Sequence, residues 1–158
     1  MKNLLLILCV CFGTIVFSQT VSFTNVQLNE VQPGTVIAVK ANNRFILNTK
    51  EIDLIKTNLV KRLKETLNID MNYVKSEIIQ YDNGIYNLIL TSDNGYVTKT
   101  YVEISNNNSI SLRSMGTSCT TSGCSQDFGC VALSSACTPC TGDCTKTTTS
   151  PSIIATGL

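Results

Sequence analysis

The clearest pattern in the chain lies between Asn48 and Leu112, where the apolar positions change from a spacing of three or four residues to a spacing of two. Ile52, Ile55, Leu59, Leu63 and Leu67 recur at the helical period, so their side chains stack on one face of a helix predicted from residue 48 to about 68. That face is a core face, and the charged residues between its members form a solvated outer side. Asn48 or Thr49 is placed to cap the start, and Asn48 with Glu51 has the spacing of a capping box. Asp53 in the first turn, with Lys61, Arg62 and Lys64 near the end, matches the helix dipole.

After the helix the period drops to two. Segments 74–81, 85–91, 96–105 and a short 109–113 are rich in Ile, Tyr, Val and Thr, which suit a pleated, half-buried surface. Asp82-Asn83-Gly84 and Asp93-Asn94-Gly95 join them, supplying the positive-φ positions that tight hairpin turns require. A two-residue Asn-Gly loop sets Tyr81 opposite Tyr86 and Ile79 opposite Leu88, whereas a three-residue loop with a glycine bulge shifts the pairing by one; both registers stay open. The repeated Asp-Asn-Gly is turn chemistry. A calcium loop needs acidic oxygens at alternate positions and a closing Glu, and neither is here.

Before the helix, segments 21–28 and 35–40 alternate loosely, Pro33-Gly34 marks a turn, and Asn42-Asn43 is placed to turn a hairpin into 44–47. One or two of these strands add to the same sheet. The order strand, strand, helix, strand, strand, strand predicts an α+β fold in which one amphipathic helix packs on a small antiparallel sheet. Over roughly residues 35–112 this order resembles PepSY-type and other protease-propeptide-like modules. The resemblance is one of architecture and implies no activity.

The 158 residues suit one domain of ordinary size plus appendages. Residues 1–18 read as a signal peptide: Lys2, an apolar run from Leu4 to Phe17, and a small residue at Ser18 ahead of a cut before Gln19. The run is short for a membrane span and no stop-transfer charges follow it. Bulky Leu8 and Val10 precede Cys9 and Cys11, which argues against a lipid anchor, so both cysteines leave with the signal. Removing Lys2 from twelve basic and eleven acidic residues leaves eleven of each, a net charge of zero. A neutral chain without a basic stripe gives no electrostatic case for nucleic acid, and no later apolar stretch reaches the length of a membrane span. The expectation is an exported product, periplasmic or secreted. The sequon Asn107-Asn108-Ser109 matters only in a host that glycosylates it.

The carboxyl-terminal part has a different composition. From Ser114 to Ser150, sixteen of thirty-seven residues are Ser or Thr, and Phe128, Val131 and Leu133 are almost its only large apolar residues. Such a segment buries too little to offset the entropy of ordering itself, so it needs staples or stays mobile. It carries Cys119, Cys124, Cys130, Cys137, Cys140 and Cys144, an even number behind a signal peptide, which reads as three disulfides with fifteen possible connectivities. The predicted organisation is thus a signal over 1–18, an α+β domain over 19–113, a disulfide-rich and mostly irregular segment over 114–145, and a flexible end over 146–158.

Three sharper readings compete for the cysteines. Cys137, Cys140 and Cys144 have part of an iron–sulfur or zinc spacing, but the ferredoxin-like run lacks one cysteine and its closing Cys-Pro, and the chain has no histidine. Cys137-Thr138-Pro139-Cys140 resembles the Cys-x-Pro-Cys of thioredoxin-like oxidoreductases, without the strand and helix that activate that thiol. Ser and Thr interleaved with Cys resemble lanthipeptide cores, whose leaders differ from residues 2–18.

Absence of histidine removes Ser-His and Cys-His nucleophile pairs. The carboxylates Asp53, Glu65, Asp70, Glu77, Asp82, Asp93 and Glu103 are not spaced to flank one bond, and no phosphate loop or dinucleotide fingerprint occurs. No catalytic residue, metal ligand or cofactor site is therefore assigned. The sequence points to a non-enzymatic exported protein that binds an unknown protein or peptide partner or inhibits a protease. One alternative is a precursor whose domain escorts a cystine-rich effector from about residue 116 to 158; another is a thiolate metal-binding tail.

Overall fold

The computed structural model describes residues 34–104, 109–112, 116–125 and 129–149. The expected signal over 1–18, the alternation over 21–28, Asn107 and residues 150–158 lie outside that set. β1 (Val36–Ala41) and β2 (Arg44–Leu47) form the hairpin expected from Asn42-Asn43. Both asparagines take the left-handed conformation, with φ of 49° and 61°, which is what a two-residue turn between twisted strands requires. The helix α1 (Thr49–Leu67) follows directly.

The face predicted for α1 is the one it buries. Ile52, Ile55, Leu59 and Leu63 are buried and Leu67 packs at the margin, against Ile37 and Ala38 of β1 and the strands that follow. The capping box is not formed, because Asn48 is engaged elsewhere. Its N–H donates to Ile37 O at 2.8 Å and its Nδ2 to Val36 O at 3.4 Å, so the start of the helix is tied to β1 instead of to its own first turn. At the other end Asn68 turns left-handed at φ 54°, and Ile69 N–H reaches back to Leu63 O, closing the last turn.

β3 (Tyr73–Gln80), β4 (Tyr86–Ser92), β5 (Val97–Ile104) and β6 (Ser109–Leu112) fall within a residue of their predicted limits. Both Asp-Asn-Gly connections are three-residue loops with the glycine left-handed, Gly84 at φ 78° and Gly95 at φ 87°. Gln80 therefore faces Tyr86 and Ile78 faces Leu88, the shifted one of the two registers left open. A second irregularity between Tyr73 and Lys75 throws Val74 into solvent.

The sheet is antiparallel throughout and runs β2-β1-β6-β5-β4-β3. It forks at β5. One edge of β5 is paired to β4 over Val97–Val102; the other is shared, with Val102–Ile104 paired to β6 and residues 97–100 paired to β7 (Gly116–Thr121). β7 in turn pairs β8 (Thr145–Thr149). The fold is α+β as expected, with a more extensive sheet, because the Cys/Ser/Thr segment supplies two strands of it. Lys146 to Thr149, expected to begin the flexible end, are paired as β8.

Helix and cystine segment occupy opposite faces. Leu88, Leu90 and Val102 point to α1, so by the two-residue alternation of a strand Asn87 and Ile89 point the other way, where Cys119, Cys124, Cys130 and Ala132 form a second buried cluster beside Tyr101.

Candidate functional site

The six cysteines predicted to be bridged are all bridged: Cys119–Cys137, Cys124–Cys140 and Cys130–Cys144, with Cα–Cα distances of 5.8, 6.1 and 5.6 Å. In chain order this joins first to fourth, second to fifth and third to sixth, so each loop contains one end of each of the others. Sequence separations of 18, 16 and 14 give loops for which the chain-entropy account assigns about 3 kcal/mol per bridge. This is the covalent order that a segment poor in apolar surface lacks on its own. Cys137 and Cys140 belong to different bridges, so Cys137-Thr138-Pro139-Cys140 is not closed on itself as one disulfide, and Cys137, Cys140 and Cys144 are each bound to sulfur. Among the described residues no group of three or more His, Cys, Asp or Glu is arranged to hold a metal ion.

Three sets of contacts fix this segment on the sheet. Asn87, 0% exposed near the start of β4, donates from Nδ2 to Ala132 O at 2.9 Å and accepts from Ala132 N–H at 2.9 Å, while its second amide hydrogen goes to Tyr86 O. The side-chain amide thus takes the place of a strand partner for a backbone 45 residues away. Lys99, 3% exposed on β5, donates from Nζ to Gly129 O at 2.7 Å. On the opposite face hydroxyl pairs zip β7 to β5: Thr98 with Thr120 at 2.9 Å and Thr100 with Ser118 at 2.8 Å. Tyr73 extends the chain to β3, its hydroxyl 2.6 Å from Thr98 Oγ1, and burial pushes its phenol up to about 12 although that hydrogen bond acts to lower it.

The outer surface of the segment is a set of short turns. Residues 131–138 form a small hairpin, with Ala132 bridged to Cys137, Leu133 N–H donating to Ala136 O at 2.8 Å and Thr138 N–H to Val131 O at 2.9 Å. Its tip is tied from behind: Thr117 Oγ1 donates to Ser134 O at 3.2 Å and Lys146 Nζ to Ser135 O at 2.7 Å. Ser134, Ser135, Ala136 and Pro139 are exposed. Nearby, the Asp143 carboxylate accepts from Gly123 N–H at 2.7 Å, from Ser122 N–H at 3.2 Å and from the Ser122 hydroxyl at 3.0 Å. Desolvation acts to raise this carboxyl, but the Gly123 and Ser122 donors outweigh it and hold it below its ordinary 3.8. Gly123 and Gly142 touch: a Cβ on either would lie 2.9 Å from the other's Cα.

Sequence reasoning identified the cysteines and missed what seats them. Asn87 carried a signal, being the one polar residue in the run Tyr86-Asn87-Leu88-Ile89-Leu90. A buried amide in such a run needs a partner. β7 had none, since Gly116-Thr117-Ser118-Cys119-Thr120-Thr121 buries hydroxyls and a cystine where a strand usually buries hydrocarbon. Compared with family models, with curated proteins and with solved structures, the chain matches none of them.

Proposed function

We propose that this chain is an exported, non-enzymatic binding module whose recognition surface is the outer face of the cystine segment, centred on the 133–136 tip, and whose partner is a protein or peptide. The observation that carries the reading is the tethering of that tip. Its carbonyls at Ser134, Ser135 and Ala136 are held by Thr117, Lys146 and Leu133, while the Ser134, Ser135 and Ala136 residues are exposed. A turn already fixed in one shape loses little conformational entropy on binding, which favours affinity from a small surface. Three disulfides fit an oxidising compartment, periplasmic or extracellular.

The precursor reading requires release of a peptide from about residue 116, which strips β7 from β5 and breaks the Asn87–Ala132 pair. That connection weighs against it. Two measurements test the proposal. Intact mass of protein from the cell envelope or medium should show a chain starting at Gln19 and six hydrogens lighter than its reduced form; a released fragment holding the six cysteines would favour the precursor instead. Affinity capture from the same fractions should retain a protein that binds saturably to the wild type, is lost with Ser134→Arg/Ser135→Glu, and survives Lys61→Glu on the helix. Equal retention by all three would overturn the assignment of the surface.

A further inference from the structure

Six thiols in a Ser/Thr-rich segment allow fifteen pairings, and little apolar surface is present to choose among them. The contacts that do choose involve no sulfur. Cys119 sits in β7 opposite Lys99, in a register set by Thr98–Thr120 and Thr100–Ser118. Ala132 is held by Asn87, and the 131–138 hairpin folded on Ala132 brings Cys137 to the position from which it meets Cys119. Lys99 holds Gly129 O, beside Cys130.

We propose that the sheet templates the disulfides: β7, Asn87 and Lys99 bind the reduced segment so that Cys119–Cys137 closes first. With that bridge made, the remaining four cysteines have three pairings in place of fifteen. Each bridge forms by exchange with an external disulfide oxidant. One cysteine thiolate attacks the oxidant and releases one of its thiols; the second cysteine thiolate then displaces the other. Two protein thiols become one disulfide, and two electrons with two protons pass to the oxidant.

The test is oxidative refolding of the full mature chain, reduced and denatured, with a glutathione couple, with intermediates trapped by alkylation and mapped by non-reducing peptide digestion. In buffer the wild type should form Cys119–Cys137 as its first bridge and finish in a single isomer. In concentrated urea, where no sheet forms, the observed trio should fall toward about one in fifteen of the products. Asn87→Ala in buffer should lower the share of molecules whose first bridge is Cys119–Cys137 by about fivefold or more, because two buried hydrogen bonds to Ala132 are lost. Lys99→Met should shift it in the same direction, and Lys61→Ala on the helix should leave it unchanged. A urea product dominated by the observed trio would overturn the proposal, as would an Asn87→Ala chain with wild-type circular dichroism and an unchanged first bridge. Where Asn87→Ala does not form its sheet, the comparison of buffer with urea decides alone.

Discussion

Asn87→Ala is the most informative single perturbation of stability, since it cuts the fully buried one of the polar links between the sheet and the cystine segment without touching a cysteine or the helix core. The side chain makes two 2.9 Å hydrogen bonds to Ala132, and both residues are 0% exposed. Truncation leaves the Ala132 N–H and C=O buried without partners, at about 1–3 kcal/mol each. Partial relaxation and water entry reduce the sum, so the expected loss is about 2–4 kcal/mol. At an m-value of about 1.5 kcal/mol/M this lowers the urea midpoint by about 1–3 M, measured by circular dichroism with the disulfides intact. Asn72→Ala is the matched control. Asn72 Nδ2 donates to Asp93 Oδ2 at 2.6 Å, a shorter bond between exposed groups, and its removal should change stability by less than about 0.5 kcal/mol. Equal losses in the two variants, or a loss below about 1 kcal/mol in Asn87→Ala, would refute this role of Asn87, for then β7, Lys99 and the bridges hold the cystine layer without it.

Three further outcomes are expected. Gly142→Ala places a Cβ 2.9 Å from Gly123 Cα, backbone against backbone, and should destabilise the oxidised chain by about 1–3 kcal/mol in thermal or urea unfolding. Asp143 has a folded-state carboxyl held below 3.8, so its contribution is present above the unfolded value and lost as pH falls through the folded one; stability of Asp143→Asn should approach that of wild type as acid titrates the wild-type group, read from urea midpoints between pH 6 and about pH 2. Tyr73, raised from 10.0 to about 12 by burial, contributes stability that is complete below 10 and declines as alkali rises toward 12; burial raises Tyr81 as well, so ultraviolet titration should show late-ionising phenols, and Tyr73→Phe should remove the step near 12.

How far the sequence could be read depended on whether order came from near or distant neighbours. Ile52, Ile55, Leu59 and Leu63 state their face by spacing alone, and Asn42-Asn43, Gly84 and Gly95 state their turns by the backbone angles they tolerate. The hairpin register was ambiguous locally, and it is settled by Gly84 and Gly95 taking the left-handed position at the end of each loop. Asn48 shows the limit of a local motif, since the spacing of a capping box is present while β1 takes the side chain. β7 and β8 were not legible because their partners are remote and their burial is polar. Thr120 is buried through a hydroxyl from β5, and Ala132 through an amide from β4. For the cysteines, number and compartment predicted bridging, whereas connectivity depends on which residues the sheet brings together.

The two faces of the sheet are thus ordered by different physics, and this bears on how a binding surface could change. On the α1 side each apolar residue is both contact and core, so a change of side chain there alters stability directly. On the cystine side the stabilising groups are backbone carbonyls and N–H groups, met by Asn87, Lys99, Thr117, Lys146 and Asp143, together with sulfur bridges. The side chains of Ser134, Ser135, Ala136 and Pro139 point away from those contacts. Replacing Ser134 or Ser135 leaves the carbonyl that Thr117 or Lys146 holds, so the tip keeps its shape while its chemistry changes. Under the proposed function, this construction lets the recognition chemistry change without loss of the fold, which a face whose apolar residues are both contact and core does not allow.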